Sequence, residues 1–220
     1  MRKFRMGVLV SAVALTMAGC ASMSPTSSPG FFVTSTGAGK GADLGGLAGA
    51  DAHCQKLAAA AGMGKRTWRA YLSATAAGSA PAVNAKDRIG EGPWRNAKGV
   101  VIATSVGELH ADNNLTKQTA LSEKGEVIKG RGDTPNEHDV LTGSTKLGTF
   151  IAGSADTTCG NWTKSGDGAA MVGHIDRAGL PTATIADATS WNSSHLSRGC
   201  SLDQLKLSGG AGFLYCFAAK

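Results

Sequence analysis

Five histidines, His53, His110, His138, His174 and His195, are the side chains best able to hold a metal or move a proton near neutral pH. They are scattered along the chain, and no His-Glu-x-x-His helix sets two of them on one face. Each is read as a surface or hydrogen-bonded residue, with no metal assigned. Ser, His and Asp are plentiful, but there is no Gly-x-Ser-x-Gly elbow. Geometry rather than composition defines a triad, and the chain is read as non-catalytic. Gly37-Ala38-Gly39-Lys40-Gly41 is not a phosphate loop, because Thr34 stands where its first glycine would be and Gly41 where a Ser or Thr is needed. Arg131-Gly132-Asp133 spells an integrin tripeptide in a polar stretch and reads as a plain turn. Five cysteines complete the inventory: Cys20, Cys54, Cys159, Cys200 and Cys216. None forms a C-x-x-C pair, which argues against a zinc ribbon. With Cys20 set apart, four remain, an even number suited to disulfides in an oxidising compartment. Three pairings are open.

The elements that would position these residues begin after residue 30. Residues 1–19 read as an export signal: Arg2, Lys3 and Arg5, then the apolar run Gly7–Ala18, then small residues before Cys20. The run is shorter than the roughly 20 apolar residues of a membrane-spanning helix. Ala21–Gly30 is a Ser/Pro-rich tether. The formal charge of +6 falls by three when the signal's basic residues leave, which gives no argument for nucleic acid. Residues 31–220 suit one domain. Phe31–Thr36, Thr67–Ser73 and Gly99–Thr104 read as strands, and Leu47–Ala61 as a helix with Ala50, Cys54, Leu57, Ala58 and Ala61 inward. Ala85–Ile89 suggests a second short helix. From Ser105 to Asp139 no apolar period survives, as in a functional or mobile loop. The last third alternates apolar runs with Gly/Ser/Asp loops, at Thr149–Ala152, Ala169–Val172 and Phe213–Phe217. Glycine, at 31 residues, is abundant and aromatics are few, so covalent pinning rather than an apolar interior is expected to hold the loops.

Met17-Ala18-Gly19-Cys20 resembles the bacterial lipobox, with Met17 in place of the usual Leu. The resemblance implies cleavage before Cys20 and its lipidation. With Ala21 rather than Asp next, it implies outer-membrane delivery and association with the membrane through that anchor. Downstream, Gly49-Ala50-Asp51-Ala52-His53-Cys54, Thr67–Ser73, Asn84-Ala85-Lys86-Asp87, Leu141–Ser144, Cys159–Thr163 and Leu214-Tyr215-Cys216 resemble, in order, segments of the C-type lectin-like fold, nearest its endostatin branch. That likeness implies an α+β domain of short antiparallel strands, one or two helices and a long-loop lobe. It also implies bridges Cys54–Cys216 and Cys159–Cys200, the second closing the loop lobe. The Glu-Pro-Asn and Trp-Asn-Asp calcium motifs of sugar-binding members are incomplete here. Ser193 replaces the carboxylate in Trp191-Asn192-Ser193, and Thr134-Pro135-Asn136 precedes the expected loop. Calcium is therefore not assigned, and the histidine cluster that binds zinc in endostatin has no counterpart. The implied function is non-catalytic recognition of a glycan, cell-wall polymer or protein ligand. Trp162, Trp191, Asn192 and His195 are candidates because ring faces and amides suit sugars. A structural or secretion-assembly role with an envelope protein partner is the alternative.

Overall fold

The computed structural model describes Met1 and residues 28–179 and 188–219. Cys20, the export signal and most of the tether lie outside the described residues. The fold is α+β. Its spine is β8 (Gly210–Ala218), whose Phe-Leu-Tyr-Cys-Phe run is buried on both faces. The residues alternate as strand geometry requires. Leu214, Cys216 and Ala218 enter one core, while Phe213, Tyr215 and Phe217 enter another.

β1 (Phe31–Val33) and β2 (Trp68–Ala70) pair antiparallel with the C-terminal half of β8. β5 (Asp139–Leu141) runs parallel to its N-terminal half, and β6 (Met171–His174) and β7 (His195–Leu196) extend the sheet antiparallel. A separate hairpin joins β3 (Trp94–Arg95) to β4 (Val101–Ala103). Helix α1 (Gly46–Ala60) packs Ala50, Cys54 and Ala58 against the first face, as its spacing predicts, while Ala61 ends up exposed beyond the helix. Among the described residues no helix is long and apolar enough to cross a membrane.

Several expected elements are shorter or different. Ala85–Ile89 gives a single 3₁₀ turn, Ala85–Asp87, with Ile89 buried beside it. Thr149–Ala152 forms no strand, only a bridge from Phe150 to Ser144. The stretch from Ser105 to Asp139 is anchored by helix α2 (Val106–Leu109), capped by Ser105, and by buried Leu109, Leu115, Leu121 and Ile128. One apolar anchor every six or seven residues matches neither the strand nor the helix period, so the pattern looked empty.

The cysteines pair as Cys54–Cys216 and Cys159–Cys200. The expectation that crosslinks replace an apolar interior in the loop lobe is corrected. All four cysteines lie in the core under α1. The opposite, loop-bearing face is filled by Phe31, Tyr71, Trp94, Trp191, Tyr215 and Phe217, with ring centroids 4.8–6.0 Å apart among neighbours. A few large rings bury as much area as many aliphatics, so a low aromatic count still builds a dense core.

Candidate metal centre

Strand register brings three side chains of different segments together. Asp139 on β5 stands opposite His174 on β6, and β7 pairs so that His195 stands opposite Val172, two residues before His174. Cross-strand partners and i, i+2 neighbours share a face, so Asp139, His174 and His195 project together. The β5–β8 register shifts between Asp139 and Val140, an irregularity of the kind that re-aims side chains beside functional sites. His138, immediately before β5, joins them.

The Nε2 atoms of His174, His138 and His195 lie 3.2, 3.3 and 3.6 Å from the same atom, Asp139 Oδ1. Zinc bonds of about 2.0–2.1 Å in a tetrahedron place neighbouring ligand atoms about 3.3–3.4 Å apart. His138, Asp139 and His174 each place one ligand atom within 4.8 Å of the others, close enough to share one ion, while His195 stands apart from this group at 3.6 Å from Oδ1. His138, Asp139 and His174 are buried, each 3 % exposed, whereas the His195 side chain is 37 % exposed at the mouth.

The outer partners fix what the inner atoms can be. His138 Nδ1 faces Asp176 Oδ1 at 3.1 Å, His174 Nδ1 the Ala188 carbonyl at 2.7 Å, and His195 Nδ1 the Leu196 carbonyl at 3.0 Å. An acceptor at each Nδ1 requires a proton there, which assigns the tautomer of a neutral ring and leaves the Nε2 lone pair directed inward. A carboxylate or carbonyl behind a histidine is the usual outer shell of a metal ligand. Among the described residues neither oxygen of Asp139 nor His174 Nε2 has a hydrogen-bond partner. Lone pairs therefore face lone pairs around a buried carboxylate, an arrangement that a cation resolves.

Protonation of the same rings is the competing way to pair the carboxylate, since a proton on Nε2 would be donated to Asp139. Burial pushes the Asp139 carboxyl up, but the imidazoles of His174, His195 and His138 outweigh it and hold it below the usual carboxylate range. That carboxylate in turn raises His195 against the lowering effect of its burial. The Asp176 side chain is largely shielded from solvent, which pushes it up, yet His138 and the backbone N–H groups of Arg131 and Ala178 hold it well below its ordinary value.

Behind the ligands, β6 docks tightly on the 190–192 segment. A Cβ at Gly173 would fall 1.8 Å from the Trp191 carbonyl oxygen, so only glycine fits between His174 and its neighbour strand. Gly173→Ala is expected to cost roughly 1–3 kcal/mol by overpacking and to weaken zinc binding, because the change displaces both His174 and the approach to His195. Urea unfolding together with zinc titration checks both effects.

The structure brings three of the five scattered histidines together, leaves His53 against the Thr36 carbonyl, and disperses most of the expected ligand-binding residues. Of the four candidates, only His195 reaches this site. Trp162 is fully buried under α1, donating from Nε1 to the Ser73 carbonyl. Trp191 is packed against Tyr71 and Tyr215. Asn192 spends its Nδ2 on Tyr71 Oη and the Thr145 and Lys146 carbonyls. Neither indole face nor the amide is presented to a sugar. Asp133 of the Arg-Gly-Asp turn pairs with Lys117 at 2.5 Å. The histidines carry no spacing motif; the available signal was His-Asp at 138–139 with His174 and His195 at strand ends.

His110 belongs to the buried network around Tyr71 rather than to the metal centre. Its Nδ1 donates to the Val106 carbonyl, and Tyr71 Oη donates to its Nε2 at 2.7 Å. Burial holds its pKa below the ordinary value. As pH falls, the unfolded chain takes up this proton first. The His110 contribution is complete above the ordinary imidazole range and is lost as pH drops through it toward the depressed folded value. In chelator, His110→Gln is expected to lose less stability than wild type between about pH 7.5 and 5.5, as read from urea midpoints.

No protein-family model matches the chain, and no curated protein matches it in sequence.

Proposed function

We propose that this chain is an exported, lipid-anchored recognition protein of C-type lectin-like architecture that works through a zinc centre formed by His138, Asp139 and His174, with His195 at its mouth. The observation that carries this reading is a buried carboxylate with no hydrogen-bond partner among the described residues, faced by imidazole nitrogens whose opposite nitrogens are all engaged. A ligand set rich in imidazole nitrogen favours zinc over calcium, which takes six to eight oxygens. Cleavage at Cys20 and outer-membrane anchoring rest on the lipobox resemblance. The order of segments from Gly49 to Cys216, together with the nested pairing of the four cysteines, supports the lectin-like reading.

The zinc centre lies at the base of a pocket of about 330 Å³, so recognition is assigned to this opening rather than to the buried Trp162, Trp191 and Asn192. Metal analysis of the dialysed protein tests the proposal. One zinc per chain is expected for wild type and less than a tenth of that for His174→Ala. Equal, substoichiometric metal in both would end the zinc reading. Radiolabelled palmitate incorporation, lost in Cys20→Ala, checks the anchor separately.

A further inference from the structure

The pocket above the metal centre has a composition of its own. Its walls include His138, His174 and His195 at the base and Arg131 and Arg198 higher up. Leu196 and Leu207 complete an apolar lip, 44 % and 61 % exposed. Both arginines are exposed, and among the described residues neither guanidinium forms an ion pair or a side-chain hydrogen bond. Arg131 is held at its backbone instead, where its N–H donates to Asp176 Oδ2 at 2.6 Å, the same carboxylate that backs His138. Arg198 is likewise fixed by its backbone N–H on Ser208 Oγ. Two anchored main chains therefore carry two uncommitted guanidinium groups on the wall of a pocket floored by a metal site.

We propose that this pocket binds a small organic oxyanion, a carboxylate or phosphate-type group bearing an apolar substituent. Its oxygen completes the coordination of the zinc, Arg131 and Arg198 hold the remaining oxygens, and Leu196 and Leu207 cover the apolar part. The inference rests on the zinc reading above. The chemistry follows from the parts. Three buried protein ligands leave a zinc position open toward the pocket, as in sites that accept an exogenous oxygen ligand. Guanidinium forks match the planar or tetrahedral arrangement of oxyanion oxygens, and such charge-assisted bonds are the strong ones. A neutral sugar would leave both guanidinium groups unmatched.

The test uses cobalt(II) as a visible reporter in the purified protein, titrated separately with phenylphosphonate and with benzoate. Expected is a saturable change in the cobalt absorption bands with at least one of the two. The tighter of them identifies the phosphate or the carboxylate source. The double variant Arg131→Gln/Arg198→Gln should retain the cobalt bands, since the backbone contacts of both residues persist. Its anion affinity should fall by roughly tenfold or more, the loss expected for charge-assisted contacts. Cobalt that binds while neither anion perturbs its spectrum overturns the oxyanion inference and leaves the zinc reading standing. Unchanged anion affinity in the double variant, or equal affinity in the metal-free protein, overturns it as well. Failure of cobalt to bind wild type at all removes the zinc reading itself, a result the metal bands report before any anion is added.

Discussion

In excess chelator Asp139→Asn is more stable than wild type, and in excess zinc the order reverses. The first half follows from the metal-free site. Asp139 is 3 % exposed, its oxygens accept no hydrogen bond among the described residues, and the Nε2 atoms of His138, His174 and His195 converge on Oδ1. Without a cation, the buried charge is left unpaired while the rings stay neutral, and pairing it requires an imidazole to take a proton on Nε2 with its Nδ1 contact kept. An asparagine of the same shape removes the charge and offers an amide N–H to a facing ring nitrogen. Relief of one unsatisfied buried group is worth about 1–3 kcal/mol. The second half follows from linkage. A metal that binds only the native state stabilises it by about 4 kcal/mol at a thousandfold excess over its dissociation constant. For a domain of this size each kcal/mol moves the melting temperature by about 2–4 °C. Wild type should therefore rise by about 8–16 °C on zinc addition, while Asp139→Asn, lacking the anionic ligand, moves little. Differential scanning calorimetry of both proteins in each condition reads the crossover. Wild type that melts at the same temperature with and without zinc removes the argument.

The elements legible in the sequence are those whose apolar residues keep a period. α1 and β8 are the cases: Ala50, Cys54 and Ala58 repeat at four, and Phe213–Phe217 is continuous because both of its faces are buried. The candidate metal centre was not legible for the opposite reason. His138, His174 and His195 lie on three segments separated in sequence by 36 and 21 positions, and only the pairing of β5 with β6 and of β6 with β7 makes them neighbours. Register is a long-range property, and a two-residue strand such as β7 carries no period from which to infer it. Helix α3 (Leu202–Ser208) is different. Ser201 caps it by accepting from the Gln204 N–H, so a Ser-x-x-Gln start stood in the sequence ahead of Leu202 and Leu205. The expected sugar-binding residues illustrate the converse ambiguity. Tryptophan and asparagine suit a ligand surface and equally suit a core, where an indole N–H or amide finds a backbone carbonyl, as Trp162 and Asn192 do.

The motif segments around α1 converge on one carboxylate, and removing it should cost the fold far more than breaking a solvent-facing ion pair such as Lys117–Asp133. Gly49-Ala50-Asp51-Ala52-His53-Cys54 places Asp51 on the inner side of α1, three residues before the cysteine that bridges to β8. Asp51 receives Arg69 at 2.5 Å and both oxygens receive Arg88 Nη2 at 2.7 Å. The Ala70 N–H adds a further bond at 2.9 Å. One side chain thus ties α1 to β2 and to the turn that follows Asn84-Ala85-Lys86-Asp87. Arg88 is the vulnerable partner. Its side chain is 11 % exposed, and burial already lowers its pKa, with Asp51 opposing that effect. Asp51→Ala leaves a buried guanidinium whose remaining acceptors among the described residues are the Ala70 and Leu72 carbonyls. Breaking a buried pair from one side costs about 3–5 kcal/mol, and urea unfolding should show that loss. The Arg69 contact, with a half-exposed guanidinium, adds little to it. If the cost comes from the stranded charge, then Asp51→Leu combined with Arg88→Met recovers most of it, because paired apolar replacements of a buried ion pair are often neutral. A double variant as unstable as the sum of the two single changes would place the penalty instead in the lost Ala70 bond and the packing of α1 on β2.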